Sequence, residues 1–324
     1  MRANAKQVGL IFLLVGFWIS PFTLTAHQVD YEFIVAKDGS GDFDSVQDAI
    51  DAAKAFPAER INILIKNGVY KEKVKIHAWN TKLSLIGENK EQTIITYDDY
   101  FDKINGGRNS TFHTYTMLVQ GNDFHAENLT IENSAGDVGQ AVALNVDADR
   151  VSITSCRLLG NQDTLYLSGE GNRQHFRNCY IEGTTDFIFG GATALIEESI
   201  IHSKKDSYIT AASTPEGVPF GFIFRDCRLT ADENIDKVYL GRPWRNFAKT
   251  AFINTEMGAH IAPKGWHNWS KPEAEGTTFY AEYNNSGPGF TSQKRVEWSH
   301  QLNESELMKF TEENIFGNWT PERE

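Results

Sequence analysis

The sequence predicts an all-β solenoid, and three observations carry that expectation. First, two stretches repeat each other: Cys156 and Cys179, Leu158 and Ile181, Gly160 and Gly183, and Asp163 and Asp186 are each 23 positions apart. A repeat of that length is one coil of a solenoid, which buries its apolar face only by stacking on its neighbours. Second, a small polar or Cys residue recurs inside short apolar-flanked segments at Asn128, Cys156, Cys179, Ser199, Cys227 and Asn254, at intervals of 28, 23, 20, 28 and 27. Such intervals suit short strands joined by turns of varying length. Third, few stretches carry the apolar period of a long helix. A β-sandwich also has many short strands, but it does not repeat one internal motif this often.

Residues 1–26 read as a secretory leader: Arg2 and Lys6 precede an apolar run of 12 residues, 8–19, followed by Pro21 and a small-residue site ending at Thr25-Ala26. A membrane-spanning helix needs about 20 residues. Export and a mature domain over 27–324 are therefore expected, rather than a retained anchor. Loss of the leader removes two cations and no acid, moving the formal charge from −12 to −14. A chain this acidic gains nothing from general electrostatics on meeting nucleic acid or another polyanion. Three cysteines cannot all pair internally, and they lack metal-ligand spacing. Because each falls where a coil repeats, free thiols stacked in a buried ladder are expected.

The mature chain opens with a strand, Tyr-Glu-Phe-Ile-Val-Ala (31–36), and a turn over 37–42. A helix then follows, with Asp44 as cap, Gln47 reaching back, and Val46, Ala49, Ile50 and Ala53 on one face. It would plug the open end of the solenoid, whose first coil otherwise exposes apolar side chains and a sheet edge. Strands at 61–65 and 74–76 flank a turn in which Tyr70 packs and Glu72 lies at the surface. Residues 271–324 mix turns with a helix after Asn303, with Leu307 and Phe310 on one face and Glu304 and Glu306 in its first turn. This tail is expected to pack along the outside.

Stacked coils bring Asp163 and Asp186 together, roughly 4.8 Å apart if they lie on paired parallel strands. Two carboxylates that close cannot easily both be charged, so one pKa rises while the other stays low. That provides an acid and a nucleophile, although Asp also closes turns by bonding its own backbone. No Gly-x-Ser-x-Gly elbow, phosphate loop or zinc signature is present.

Gly-Asn-Gln-Asp-Thr-Leu (160–165) and Asp-Phe-Ile-Phe-Gly (186–190) resemble the two central motifs of the pectin methylesterases, carbohydrate esterases built on a right-handed parallel β-helix. Gly-x-Tyr-x-Glu at 68–72, Gln-Ala-Val-Ala-Leu at 140–144 and Leu-Gly-Arg-Pro-Trp at 240–244 match three further motifs in the family's order. The resemblance implies that Asp186 is the nucleophile, attacking the C6 methyl ester of galacturonic acid to form an acyl-enzyme. Arg242 would hold Asp186 by two bonds and keep its pKa low. Asp163 would be the acid and then the base, and Gln140 and Gln162 the oxyanion donors. Gln140 and Arg242 would also contact substrate, Trp244 would stack on a sugar ring, and Thr111 would touch the polymer. The segment departs from the plant pattern at His113, Thr114 and Tyr115, where Arg, Ser and Ala are commoner. Tyr166, Phe187 and Trp266 are candidates for further cleft aromatics, with ordinary packing as the alternative. His113 and His260 are expected at the surface or packed, not as a base.

The implied partner is methyl-esterified homogalacturonan (pectin), with neutral esterified stretches tolerated better than charged ones. No cofactor or metal, no nucleic acid, and no stable membrane association after leader removal are expected. The product is expected to be a monomer, periplasmic or secreted. The alternatives are another β-helix polyuronide enzyme, a lyase or a glycoside hydrolase, and a catalytically silent pectin-binding protein.

Overall fold

The computed structural model describes residues 30–322, so the expected leader over 1–26 lies outside the described residues. Strands of two to five residues form three parallel sheets of eleven, eight and seven strands. The chain visits the sheets in turn. Val151–Thr154 lies in the first, Arg157–Leu159 in the second and Leu165–Leu167 in the third, and the next coil repeats this with Arg173–Arg177, Tyr180–Gly183 and Ile188–Gly190. Leu158 pairs with Ile181 and Leu165 with Ile188, so the 23-residue repeat is the coil-to-coil register itself. This is a parallel β-helix. Its core is a continuous stack of buried apolar side chains, among them Leu144, Leu165 and Ile188, with the Phe224 and Phe252 rings stacked 4.4 Å apart.

One feature of the expected ladder is corrected. Between the first and second strands of successive coils stands a residue with positive φ: Asn128 (56°), Ser155 (53°), Asn178 (53°), Glu198 (51°), Asp226 (54°) and Asn254 (52°). The buried ladder lies one position later, at Leu129, Cys156, Cys179, Ser199, Cys227 and Thr255. Asn128 and Asn254 therefore belong to the left-handed turn, which Asn and Asp tolerate best among residues bearing a Cβ. The three cysteines are buried thiols outside any disulfide, and burial pushes the Cys156 thiol well up and the Cys227 thiol to about 12. They act as small packing groups.

At the N-terminal end the helix spans Val46–Ala52 and buries Val46, Ala49 and Ile50. Its cap is Ser45 rather than Asp44: the Ser45 hydroxyl accepts from the Asp48 N–H. Glu72, expected at the surface, instead closes the helix N-terminus from the neighbouring coil. Its carboxylate accepts from the Val46 N–H (3.0 Å), the Gln47 N–H (2.9 Å) and the Ser45 hydroxyl (2.9 Å). This disposes of donors that every helix start leaves unpaired, and places a negative charge at the positive end of the dipole. Tyr70 is fully buried and donates its hydroxyl hydrogen bond to the Lys66 carbonyl at 2.8 Å. The Gly-x-Tyr-x-Glu segment is thus an anchor for the end cap.

The expected outer tail over 271–324 is corrected in part. Phe279–Tyr283 and His300–Gln301 extend the eleven-stranded sheet, with Tyr280 in the core. Only the segment after them packs outside, as two short helices, Glu304–Leu307 and Glu312–Phe316, the first with an Asn303 capping box completed by Glu306. Leu307 and Phe310 pack on outward-facing residues of the eleven-stranded sheet, including Leu195, Ile223 and Ala251. Arg225 ties Glu197 of that sheet to Glu312 of the tail, and Arg173 donates to the Phe316 carbonyl at 2.6 Å. Burial would raise the Glu197 pKa, but His175 and Arg225 outweigh it and hold the carboxyl at about 2.

Replacing Glu72 with Ala is expected to lower stability by about 1–2 kcal/mol, because three donors lose one acceptor. Chemical denaturation checks this, and Glu72→Gln, which keeps one carbonyl oxygen, should fall between.

Candidate active site

Asp163 and Asp186 stand just before the strands Leu165–Leu167 and Ile188–Gly190, at equivalent places in consecutive coils. Both have left-handed backbones, φ 64° and 50°. The Asp163 N–H donates to the Thr185 carbonyl (3.1 Å) and the Asp186 N–H to the Tyr208 carbonyl (2.8 Å), so each turn is fixed by the coil after it. Gly160 and Gly183 open these turns, and each is required by close approach. A Cβ on Gly160 would meet Thr164 Oγ1 at 2.6 Å, and one on Gly183 would meet Phe187 Cβ at 2.2 Å. The left-handed backbone at both positions is what aims the two side chains into one cleft.

That cleft, of about 550 Å³, is lined by both aspartates together with Gln140, Gln162, Arg242, Thr111 and Trp244. The seven therefore meet in space although they are spread from 111 to 244 in sequence. Gln140 and Gln162 are bridged as neighbours on adjacent coils. Arg242 follows the strand Tyr239–Gly241 and clamps Asp186, with Nε to Oδ1 at 2.9 Å and Nη2 to Oδ2 at 2.6 Å. The guanidinium carbon also lies 3.9 Å from the Tyr208 ring and 3.7 Å from the Trp269 ring. The two rings restrict where the guanidinium can go, and the fork restricts how it meets the carboxylate.

Burial is the first influence on both carboxyls. It pushes Asp163 well above the ordinary 3.8, and the neighbouring charge of Asp186 adds to that rise, while Arg242 opposes it. Asp186 was expected to be low. Instead burial leaves it raised, with the Arg242 bonds pulling it back down. Both shifts are upward, but Asp186 alone has the guanidinium bonded to it, which favours its charged form over that of Asp163.

Three candidates, Phe187, Trp266 and Tyr166, do not line the cleft, though Tyr166 packs against residues that do. Phe187 is wholly buried in the core: it stands before the strand Ile188–Gly190 and directly after the left-handed Asp186, so strand alternation does not relate it to Phe189, which lines the cleft. Trp266 is also buried, stacked 4.3 Å from Tyr280. Tyr166 lies in the aromatic cluster at the cleft, 4.6 Å from Phe189 and 5.0 Å from Phe112. Phe189 was legible: it pairs with Tyr166 at the same 23-residue offset as the aspartates. Phe112, Trp269, Arg108 and Arg245 also line the cleft without having been anticipated. No repeat points to them. The arginines make this cleft less acidic than the chain as a whole. His113 is exposed and His260 is buried, its pKa lowered by burial to about 4, and neither lines the cleft. Thr114 is buried and donates to the Thr111 carbonyl at 2.7 Å, bracing that segment from within.

The fold and this site define a parallel β-helix protein with a paired-aspartate centre set in an aromatic cleft. The family model described as Pectinesterase matches residues 32–318, and the chain belongs to the pectinesterase family, a family of carboxylic ester hydrolases. It is 40% identical over 284 residues to Pectinesterase 31 of Arabidopsis thaliana, covering 85% of this chain and 89% of that protein. Among solved structures it is similar to pectin methylesterase from carrot, with a TM-score of 0.84 and 32% identity over 90% of this chain and 94% of that one. It is also similar to a pectin methylesterase crystallised with a hexasaccharide, with a TM-score of 0.79 and 29% identity over 92% of this chain and 100% of that one. The chain spans about half the length of other plant relatives it matches, 52% in two of them.

The raised Asp163 pKa has a consequence for stability. A carboxyl whose pKa is higher folded than unfolded weakens the fold as pH rises above its ordinary 3.8, since ionisation is harder in the folded state. Asp163→Asn should therefore be more stable than the wild type near pH 7, with the difference vanishing toward pH 3. Denaturant titrations across that range check it.

Proposed function

We propose that the chain is a pectinesterase that hydrolyses C6 methyl esters of polygalacturonan, releasing methanol, through an acyl-enzyme on Asp186. The observation that carries this reading is the asymmetry of the aspartate pair: both carboxyls are buried at equivalent positions, and only Asp186 is held by Arg242. In it, an Asp186 oxygen attacks the ester carbonyl carbon, and the negative charge that develops on the carbonyl oxygen is met by the Gln140 and Gln162 amides. The carbon–methoxy bond breaks, and Asp163 gives its proton to the leaving methoxide. Water then attacks the anhydride carbon and gives a proton to Asp163, the bond to Asp186 breaks, and both carboxyls return to their starting state.

Trp244, Phe189 and Tyr166 offer flat apolar faces suited to pyranose rings, and Thr111 offers a hydroxyl. The substrate is methyl-esterified homogalacturonan, in line with the saccharide bound by the solved relative. An esterified polymer of that kind lies outside the cell, which agrees with the expected leader and with a periplasmic or secreted product. Capped solenoid ends support a monomer.

The test is methanol release from highly methylated pectin, with polymer length followed in parallel. The wild type is expected to release methanol without shortening the chain, and Asp186→Ala to release none. Gln162→Ala should lose on the order of 100-fold in kcat, and Arg242→Lys should lose activity because it cannot restore the two-bond clamp. Shortened polymer without methanol would mean a lyase or glycoside hydrolase, and neither change would mean a binding protein.

A further inference from the structure

Trp269 and Ser270 are consecutive residues in the left-handed region, φ 54° and 55°, a conformation that side chains with a Cβ seldom adopt. Local bonds hold it. The Trp269 N–H donates to His267 Nδ1 at 2.9 Å, and the Ser270 N–H donates to Asn268 Oδ1 at 3.0 Å. Lys271 Nζ donates to the Pro243 and Trp244 carbonyls at 2.9 and 3.0 Å, tying the loop to the segment that bears Arg242. The outcome is the Trp269 ring 3.7 Å from the guanidinium that clamps Asp186. The His267 ring also stands edge-on to Tyr208, the other ring beside Arg242, at 5.5 Å.

A backbone N–H cannot donate to a protonated ring nitrogen, so this arrangement requires neutral His267 with its proton on Nε2. We infer that His267 is a positioning residue: by accepting the Trp269 N–H it keeps the indole on Arg242 and Arg242 aligned with Asp186, and a proton on Nδ1 releases that hold. The groups around His267 favour the neutral form. They are the Tyr208 and Tyr239 rings and the cations of Arg242 and Lys264, and burial first, then those cations, lower its pKa from the ordinary 6.5. Lys271, 4.9 Å from the Trp269 ring, adds a further positive charge to the same loop.

The effect on rate rests on the esterase reading, whereas the hold on Trp269 does not, so two measurements are needed. In the first, kcat and KM for methanol release are followed against pH. His267→Leu fills the space without an acceptor and should lose about 3–10-fold in kcat at neutral pH, with KM little changed. His267→Asn places a carbonyl where it accepts from the N–H two residues on. It should keep kcat and extend the active range to lower pH. His267→Leu with the wild-type kcat and pH profile would overturn the inference, even if that variant melted earlier. In the second, fluorescence of the Trp269→Phe variant is subtracted from that of the wild type. The difference should change on the acid side of pH 6.5 and stay flat in the same subtraction made on His267→Asn. A flat wild-type difference overturns the hold. A wild type that releases no methanol refutes the esterase reading, and the fluorescence comparison then decides the hold by itself.

Discussion

The parallel register between consecutive coils is the constraint on which the site depends. Leu158 on Ile181 and Leu165 on Ile188 are buried pairs, and a slip of one residue would turn both inward-facing positions to solvent. The same register sets Asp163 against Asp186. The two carboxyls are therefore brought together by the apolar core, which supplies the driving force, rather than by any attraction of their own. Their mutual repulsion is borne by that packing and eased by the Arg242 guanidinium bonded to Asp186.

Left-handed turns make this geometry cheap to repeat. The row from Asn128 to Asn254 bends each coil from the first sheet into the second, and Asp163 and Asp186 use the same backbone region at the mouth of the third. Asp is among the few residues that tolerate it, because its short polar side chain can bond locally. A residue type suited to a turn is thus also the residue type suited to the chemistry. In these two aspartates the left-handed turn and the placing of both carboxyls in the cleft are one arrangement.

The sequence made the solenoid, the end cap, the outer end of the tail and the central constellation legible, because all of them leave periodic or motif signals. What it hid has physical reasons. Glu72 looks like a surface residue because its partners, the Val46 and Gln47 amides, are backbone groups about 25 positions away that no side-chain pattern marks. Phe187 and Phe189, two apart, would share a face in a regular strand; the left-handed Asp186 breaks that alternation, and the offset from Tyr166 is the signal that places Phe189. Trp266 and Trp269 sit three apart in one loop, yet the first stacks in the core and the second on Arg242. Irregular backbone has no period from which to read that difference.

The Asp186 pKa shows how burial and pairing compete. A carboxylate bonded twice to arginine in open water would titrate below its ordinary range, but here the cost of withdrawing it from solvent outweighs the clamp. The balance has a use. A nucleophilic carboxylate held too low would be a poor nucleophile, and one left without Arg242 would compete with Asp163 for the proton. One fixed cation bonded to only one of two buried acids makes the pair unequal, favouring the charged form on Asp186. Arginine serves this better than lysine, since its fork fixes direction as well as charge and its flat face can be braced by Tyr208 and Trp269.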